Sequence, residues 1–407
     1  MNVFVAHFVR YRLTFIVVAI FAARVESCAQ QSEPVMDAAS ASAAPSSFAS
    51  VIKQNFTRWD RDGDGTLSRE EIEAAVASPK FRDEAAAAIA AIEKVVRNPK
   101  YSLPPITKDY LASSPLREPA AVDEQEDSTD DVSKPGKLDR PPSFQKRYLS
   151  AIRKLRGTSR ELFPQSLPLF EAVHQGALGD CPFVSTVGAM VYRDPAAVKA
   201  MFSQAANGST TVSFGNGQSL RISRLTDADI AIWSSAGTNG LWLTILEKAY
   251  RRALVATEGL GAKPPASIYE KFGSTRTIEI LGGHQTRRVL LREIQPGSPR
   301  FSDLRRELDA GRREHRLMKT GTPSGTKKLA PGITGDHAYA ILGYNDATGL
   351  VRVWNPHGND FTPKGPDGLQ NGYATRGGEF EIPLKDMLQL FTDIVFETRN
   401  PYRPPSK

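Results

Sequence analysis

Phe48, Val51, Ile52, Phe56 and Trp59 recur at close to 3.6-residue spacing, which predicts an amphipathic helix running up to Asp60. An Ala-rich stretch from about Arg82 to Arg97 predicts another helix, so residues 48 to 97 read as a small helical module. Between about Asn98 and Ser143 prolines are frequent, Asp123 to Asp131 form an acidic patch, and no apolar period is sustained. Residues 98 to 148 are therefore expected to be a Pro-rich acidic linker. Beyond about Leu149 the apolar density rises and holds to Thr398, which makes 149 to 398 the main folded body and 399 to 407 a tail. Inside that body, Val184, Val187 and Val191 repeat at helical spacing behind Cys181, while Gly176 and Gly179 keep the preceding segment a loop. Further on, Gly335 to Tyr344 alternates like a strand, Asn345 to Gly349 is a turn, and Leu350 to Gly358 returns. No internal repeat is visible.

Ahead of the first helix, residues 1 to 29 have the order of a secretory signal. Arg10 and Arg12 precede an apolar run from Leu13 to Ala23, and the small residues Ser27 and Ala29 follow. The run is too short to span a bilayer, so an exported protein without a stable membrane span is expected. A lipidated Cys28 is the competing reading: Val25 and Ser27 suit a lipid-attachment site, and Glu26 does not. Residues 30 to 47, Ala/Ser-rich from Ala38, read as a flexible lead-in.

The 407 residues are 40% hydrophobic and 24% charged, the balance of a soluble globular protein with room for two or three domains. A net charge of +7, from 52 basic and 45 acidic residues, is too dilute to indicate a nucleic-acid partner. Two cysteines exclude a disulfide scaffold, and neither stands in a CxxC or Cys/His cluster with zinc spacing. Cys181 must be explained by reactivity or by burial.

Two segments carry chemistry. The first is Asp60 to Glu71, which matches every position of an EF-hand calcium loop. Asp60, Asp62 and Asp64 occupy positions 1, 3 and 5, Gly65 permits the turn, and Thr66 offers its carbonyl at 7. Ser68 holds the often water-mediated position 9, and Glu71 closes the site at 12. EF-hands usually pair through the residue at position 8, here Leu67, but no second loop is present; the Arg82 to Arg97 helix is expected to cover the open face. The second segment begins at Gln175. It places Cys181 at a helix N-terminus, with Pro182 at the first helical position where its missing N–H is not needed. Unpaired N–H groups and the helix dipole favour thiolate, the nucleophilic form, although a lone cysteine on a helix is also a common core residue. A nucleophile needs a base and a group to orient it. In a hairpin centred near Ala347, His337 and Asn355 fall on one face as diagonal neighbours and supply that pair.

Together these residues resemble the protease core of calpains, a family of papain-like cysteine peptidases. The family's Gln-Gly-x-x-Gly-Asp-Cys-Trp-Phe motif is matched from Gln175 to Phe183 except at Pro182. His337-Ala338-Tyr339 matches its histidine motif, and Asn355-Pro356-His357-Gly358 matches its asparagine motif apart from His357. The helix from Trp242 to Tyr250 and the triplet Gly378-Glu379-Phe380 are similar to two further family segments. The resemblance spans about Leu162 to Thr398.

It implies an α+β, two-lobed core, with the cysteine on a mainly helical lobe, histidine and asparagine on an antiparallel β lobe, and a boundary near Gly273. It also implies roles: Cys181 as nucleophile, His337 as base and then acid, Asn355 as the group orienting the imidazole, and Gln175 as an oxyanion donor. The expected function is a calcium-dependent cysteine endopeptidase acting on proteins or peptides, with Ca2+ in the EF-hand. Pro182 and His357 replace tryptophans that shape the family's cleft, and they motivate an alternative: an inactive, calcium-dependent binding module. Transfer of the acyl group to an amine by the same three residues is a further alternative.

Overall fold

The computed structural model describes residues 45–98, 101–113, 143–176, 179–260, 268–325 and 328–403. The expected leader, Cys28, most of the expected lead-in and the acidic patch lie outside these residues. Among the described residues no helix is long and apolar enough to cross a membrane.

The first helix, α1 (Phe48–Trp59), is capped by Ser47, whose side chain accepts from the Ser50 N–H, and all five apolar positions of its period are buried. The acidic loop then leads into α2 (Arg69–Ala77), which opens with a capping box between Ser68 and Glu71. The Ala-rich stretch forms α3 (Asp83–Arg97), buried along much of its length because alanine lets neighbouring helices approach closely.

Part of the stretch expected to be linker is folded. Leu67 donates its N–H to the Ile106 carbonyl at 2.9 Å, Thr66 bridges Thr107, and a short helix α4 (Lys108–Ala112) follows with Leu111 fully buried. The backbone edge of the acidic loop at Thr66 and Leu67 is thus covered by residues 106–107. The next helix, α5 (Phe144–Gly157), starts inside the expected linker and packs its Phe144 ring flat on Phe48, centroids 5.5 Å apart. Pro104 and Pro105 break any apolar period here, so burial of Ile106 and Leu111 is not visible from pattern alone.

The main body follows. Helices α6 (Cys181–Arg193) and α7 (Pro195–Ala200) lead into a small antiparallel sheet of β1 (Phe202–Gln204), β2 (Thr210–Ser213) and β3 (Ser219–Ile222). Then come α8 (Asp227–Ile232), α9 (Trp242–Thr257) and α10 (Ile268–Gly282), the last broken by the non-helical backbone of Gly273, φ 53° and ψ −159°. The rest is built on β4 (His284–Leu290), α11 (Pro299–Arg313), β5 (Met318–Gly321), β6 (Ala338–Asn345), β7 (Leu350–Trp354), β8 (Glu379–Pro383), α12 (Leu384–Leu390) and β9 (Asp393–Pro401). These strands form one antiparallel six-stranded sheet in the order β4-β9-β5-β6-β7-β8.

Three apolar clusters result. The first joins α1 to α5 with α8. The second joins α6 and α9 to one face of the large sheet, and the third fills the opposite face under α11 and α12. Contact between α6 and the sheet is close: a Cβ at Gly188 would stand 2.2 Å from the Trp354 ring, so only glycine lets the helix seat there.

Candidate active site and acidic loop

Cys181 begins α6 and is half-buried. Its thiol accepts the backbone N–H of Ala338, the first residue of β6, which brings the cysteine beside the chain segment of His337. The hairpin of β6 and β7 pairs Ala340 with Trp354, shifting by one residue at a bulge before the turn. That register carries His337 and Asn355 together: His337 Nε2 lies 2.8 Å from Asn355 Oδ1.

The amide is fixed by its own partners. Asn355 Nδ2 donates to Asn359 Oδ1 at 2.7 Å, and Oδ1 also accepts the His357 N–H at 3.0 Å. The imidazole therefore faces an acceptor, which places its proton on Nε2 and leaves Nδ1 with a free lone pair. Gly378 supports the turn: its carbonyl accepts the Asn355 N–H at 2.9 Å, and a Cβ there would lie 2.3 Å from the Asn355 carbonyl.

Burial holds His337 well below its ordinary pKa, and the neighbouring His357 and Lys319 charges act in the same direction. His357, stacked on it, is brought down to about 4 by burial. The Cys181 thiol is pushed up to about 12, by burial first; the Ala338 N–H and Lys319 oppose this, and Asp180 and Asp336 add to it.

Gln175 is placed beside the same turn, its N–H donating to the Pro356 carbonyl at 3.1 Å. Its side-chain Oε1 is buried with no partner among the described residues. Ser234, just beyond α8, ties the loop together. Its hydroxyl accepts the Gly176 N–H at 3.1 Å and donates to Asp180 Oδ2 at 2.8 Å, and its N–H donates to Glu247 Oε2 at 2.6 Å. Among the described residues no group donates a hydrogen bond to Asp180 Oδ1 or Glu247 Oε1. Burial raises both carboxyl pKa values, Glu247's well above its ordinary value, and one proton shared between them satisfies both oxygens. Sequence reading singled out neither this pair nor Asn359: the partners are 67 residues apart and meet only when α9 packs behind α6.

The acidic loop is preorganised by its own hydrogen bonds. Asp60 accepts the N–H groups of Gly63 and Gly65 at 2.8 and 3.1 Å, and Asp64 accepts the Thr66 N–H and hydroxyl at 2.7 and 2.8 Å. Carboxylate oxygens of Asp60, Asp62 and Glu71 lie within 4.8 Å of one another, so these three could hold a hard cation. Asp64 points its oxygen to Thr66, and Ser68 is engaged with Glu71. Burial acts to raise the Glu71 pKa, but hydrogen bonds from Ser68, Arg61 and Asp62 outweigh it and keep the carboxyl lowered, hence ionised and fit for a cation.

A thiol at a helix N-terminus, hydrogen-bonded to the residue that follows an amide-held histidine, is an arrangement suited to cysteine hydrolases. The model of the calpain family of cysteine proteases matches residues 159–366, just over half of the 407 residues. The chain belongs to that family, and its protease domain implies protein or peptide substrates. No curated protein matches the chain.

Proposed function

We propose that the protein is a calcium-dependent cysteine endopeptidase that hydrolyses peptide bonds through a thioester acyl-enzyme. The observation that carries this reading is the 2.8 Å contact from His337 Nε2 to Asn355 Oδ1, together with the Ala338 N–H on the Cys181 thiol.

Cys181 is the nucleophile. His337 takes the thiol proton at Nδ1, the atom left free by the contact to Asn355, and delivers it to the leaving amine. Water activated by the same atom then hydrolyses the thioester, so the base and acid roles alternate on one nitrogen. Asn355 holds the ring in the tautomer this needs. The backbone N–H of Cys181 and the Gln175 side chain donate to the oxyanion, where a lost donor costs about 10²- to 10³-fold in rate. The core is read as two lobes, a helical one bearing Cys181 and an antiparallel β one bearing His337 and Asn355, with the cleft between them.

The loop from Asp60 to Glu71 is read as an EF-hand, with Asp60, Asp62, Asp64, Thr66, Ser68 and Glu71 as its calcium ligands. Bound Ca2+ would fix α1 and α2. From there a path of contacts leads to the thiol: Thr226 donates to the Val76 carbonyl at 2.8 Å, the Arg97 guanidinium lies 5.6 Å from the Trp233 ring centroid, and Ser234 holds Asp180 beside Cys181. The protein is read as exported, with Cys28 as a possible lipid anchor in place of cleavage; calcium is abundant outside the cell, so weak sites stay filled there.

Hydrolysis of casein under reducing conditions, with calcium and with chelator, beside Cys181→Ala, tests the proposal. Cleavage confined to the wild type in calcium supports both parts. Cleavage indifferent to calcium removes the switch, and a folded wild type that cuts in neither buffer favours the inactive binding module suggested by Pro182 and His357.

A further inference from the structure

The two donors proposed for the oxyanion, the Gln175 side chain and the Cys181 N–H, stand at opposite ends of one short segment. That segment contains Gly176 and Gly179, and glycine leaves the backbone free, so it does not by itself set how far apart its ends lie. A single hydroxyl joins them. Ser234 Oγ accepts the N–H of Gly176, the neighbour of Gln175, at 3.1 Å and donates to Oδ2 of Asp180, the neighbour of Cys181, at 2.8 Å. Its one proton and one of its lone pairs are both used. Ser234 is itself fully buried and anchored to α9: its N–H donates to Glu247 Oε2 at 2.6 Å, and its carbonyl accepts the Thr244 hydroxyl at 2.7 Å. At the Asp180 end the bridge is continuous with α6, because the Asp180 carbonyl accepts the Phe183 and Val184 N–H groups at 2.8 and 3.0 Å. At the other end the approach is close, since a Cβ on Gly176 would stand 3.3 Å from the Ser234 nitrogen. The adjacent Ser235 pairs with His174 through N–H to carbonyl bonds in both directions, at 3.4 and 3.3 Å, which aligns the two chain segments.

We propose that Ser234 is a positioning residue of the oxyanion site: its hydroxyl sets the separation of the Gln175 and Cys181 donors, and so acts on the rate of peptide hydrolysis without touching the substrate. The inference rests on the reading of Cys181 as nucleophile and of these two groups as oxyanion donors. Such donors stabilise a tetrahedral intermediate only when they are placed for its oxygen in advance, and a misplacement of about 1 Å costs on the order of 10²-fold in rate. Ser234→Ala deletes both hydroxyl bonds at once, which frees the Gly176 end of the segment from the Asp180 end. A residue that served the fold alone would lower stability when replaced and leave the folded enzyme as fast as before.

The test compares two reactions of the same thiol in the full chain. Peptide hydrolysis develops an oxyanion; alkylation by iodoacetamide, in which the sulfur displaces iodide from a saturated carbon, does not. In folded Ser234→Ala, kcat should fall about 10- to 100-fold with KM little changed. The rate of Cys181 alkylation, read by mass mapping so that Cys28 is scored separately, should stay at the wild-type value. The loss from Ser234→Ala should also shrink on a Gln175→Ala background, because both changes act on one set of donors. Gly176→Ala keeps the hydroxyl and presses on the same contact from the other side; its kcat should fall about threefold or more with alkylation again unchanged. Wild-type kcat in either folded variant, or a kcat and an alkylation rate that fall by the same factor, would overturn the proposal. A wild type that is alkylated but cuts no peptide overturns the reading as a peptidase and this inference with it, whereas a wild type that cuts beside an equally fast Ser234→Ala overturns this inference alone.

Discussion

His357 lies on the face of His337, with ring centroids 4.3 Å apart and planes 29° from parallel. Where family members carry a tryptophan, this chain places a second titratable ring against its candidate base. Burial is the larger cause of the low His337 pKa, and His357 adds to it. Replacing His357 with Phe keeps a stacked ring and removes the neighbouring charge, so the His337 titration followed by NMR should move upward. An unmoved titration would show that burial alone sets it.

The same rings predict an acid limit to stability. Both have folded-state pKa values depressed below 6.5, with His357 near 4. As pH falls through 6.5 the unfolded chain takes up protons that the folded chain excludes, so stability is full above about 6.5 and declines toward pH 4. Urea unfolding at pH 7 and pH 5 should show this loss, and it should be smaller in His357→Phe.

Asp180 and Glu247 predict the opposite slope. Their pKa values are raised, so the stability linked to them is present below the unfolded carboxylate range and is lost as pH rises past it. Glu247→Gln supplies the proton permanently as an amide N–H and keeps an acceptor for Ser234. The variant should be more stable than the wild type at pH 8, by about 1 kcal/mol or more, with the advantage shrinking at pH 5. A loss of stability at pH 8 would mean that the pair does not share a proton.

Gly378 tests the support of Asn355. A Cβ there would press on the Asn355 carbonyl at 2.3 Å, and its φ of 85° is strained for any other residue. Gly378→Ala should therefore displace Asn355 and lower kcat for peptide hydrolysis by about 10²-fold with KM little changed. Equal kcat in both proteins would dissociate the turn from the chemistry.

For the acidic loop, calcium should raise the melting temperature of the wild type and leave Asp60→Ala plus Glu71→Ala unaffected, because a ligand stabilises only the state that binds it. Leu111→Ala empties a buried position under the segment that pairs with the loop, at a cost of about 2 to 5 kcal/mol. It should weaken calcium binding measured by calorimetry while every acidic ligand stays in place.

Much of the arrangement is written locally. The 3.6-residue period from Phe48 to Trp59 specifies α1, Pro182 and the glycines before Cys181 place the thiol at a helix start, and the alternation around Asn345 to Gly349 sets the register that brings His337 to Asn355. These follow from backbone preferences and period, which act over a few residues. Lys319 is different. In Met318-Lys-Thr-Gly321 it has the look of a solvent-facing strand residue, and it is buried only because α6 covers that face of the sheet. The pairing of Leu67 with Ile106 and the meeting of Asp180 with Glu247 are of the same kind. Which face is covered, and by what, is decided by packing between segments far apart in the chain, and no local pattern records it.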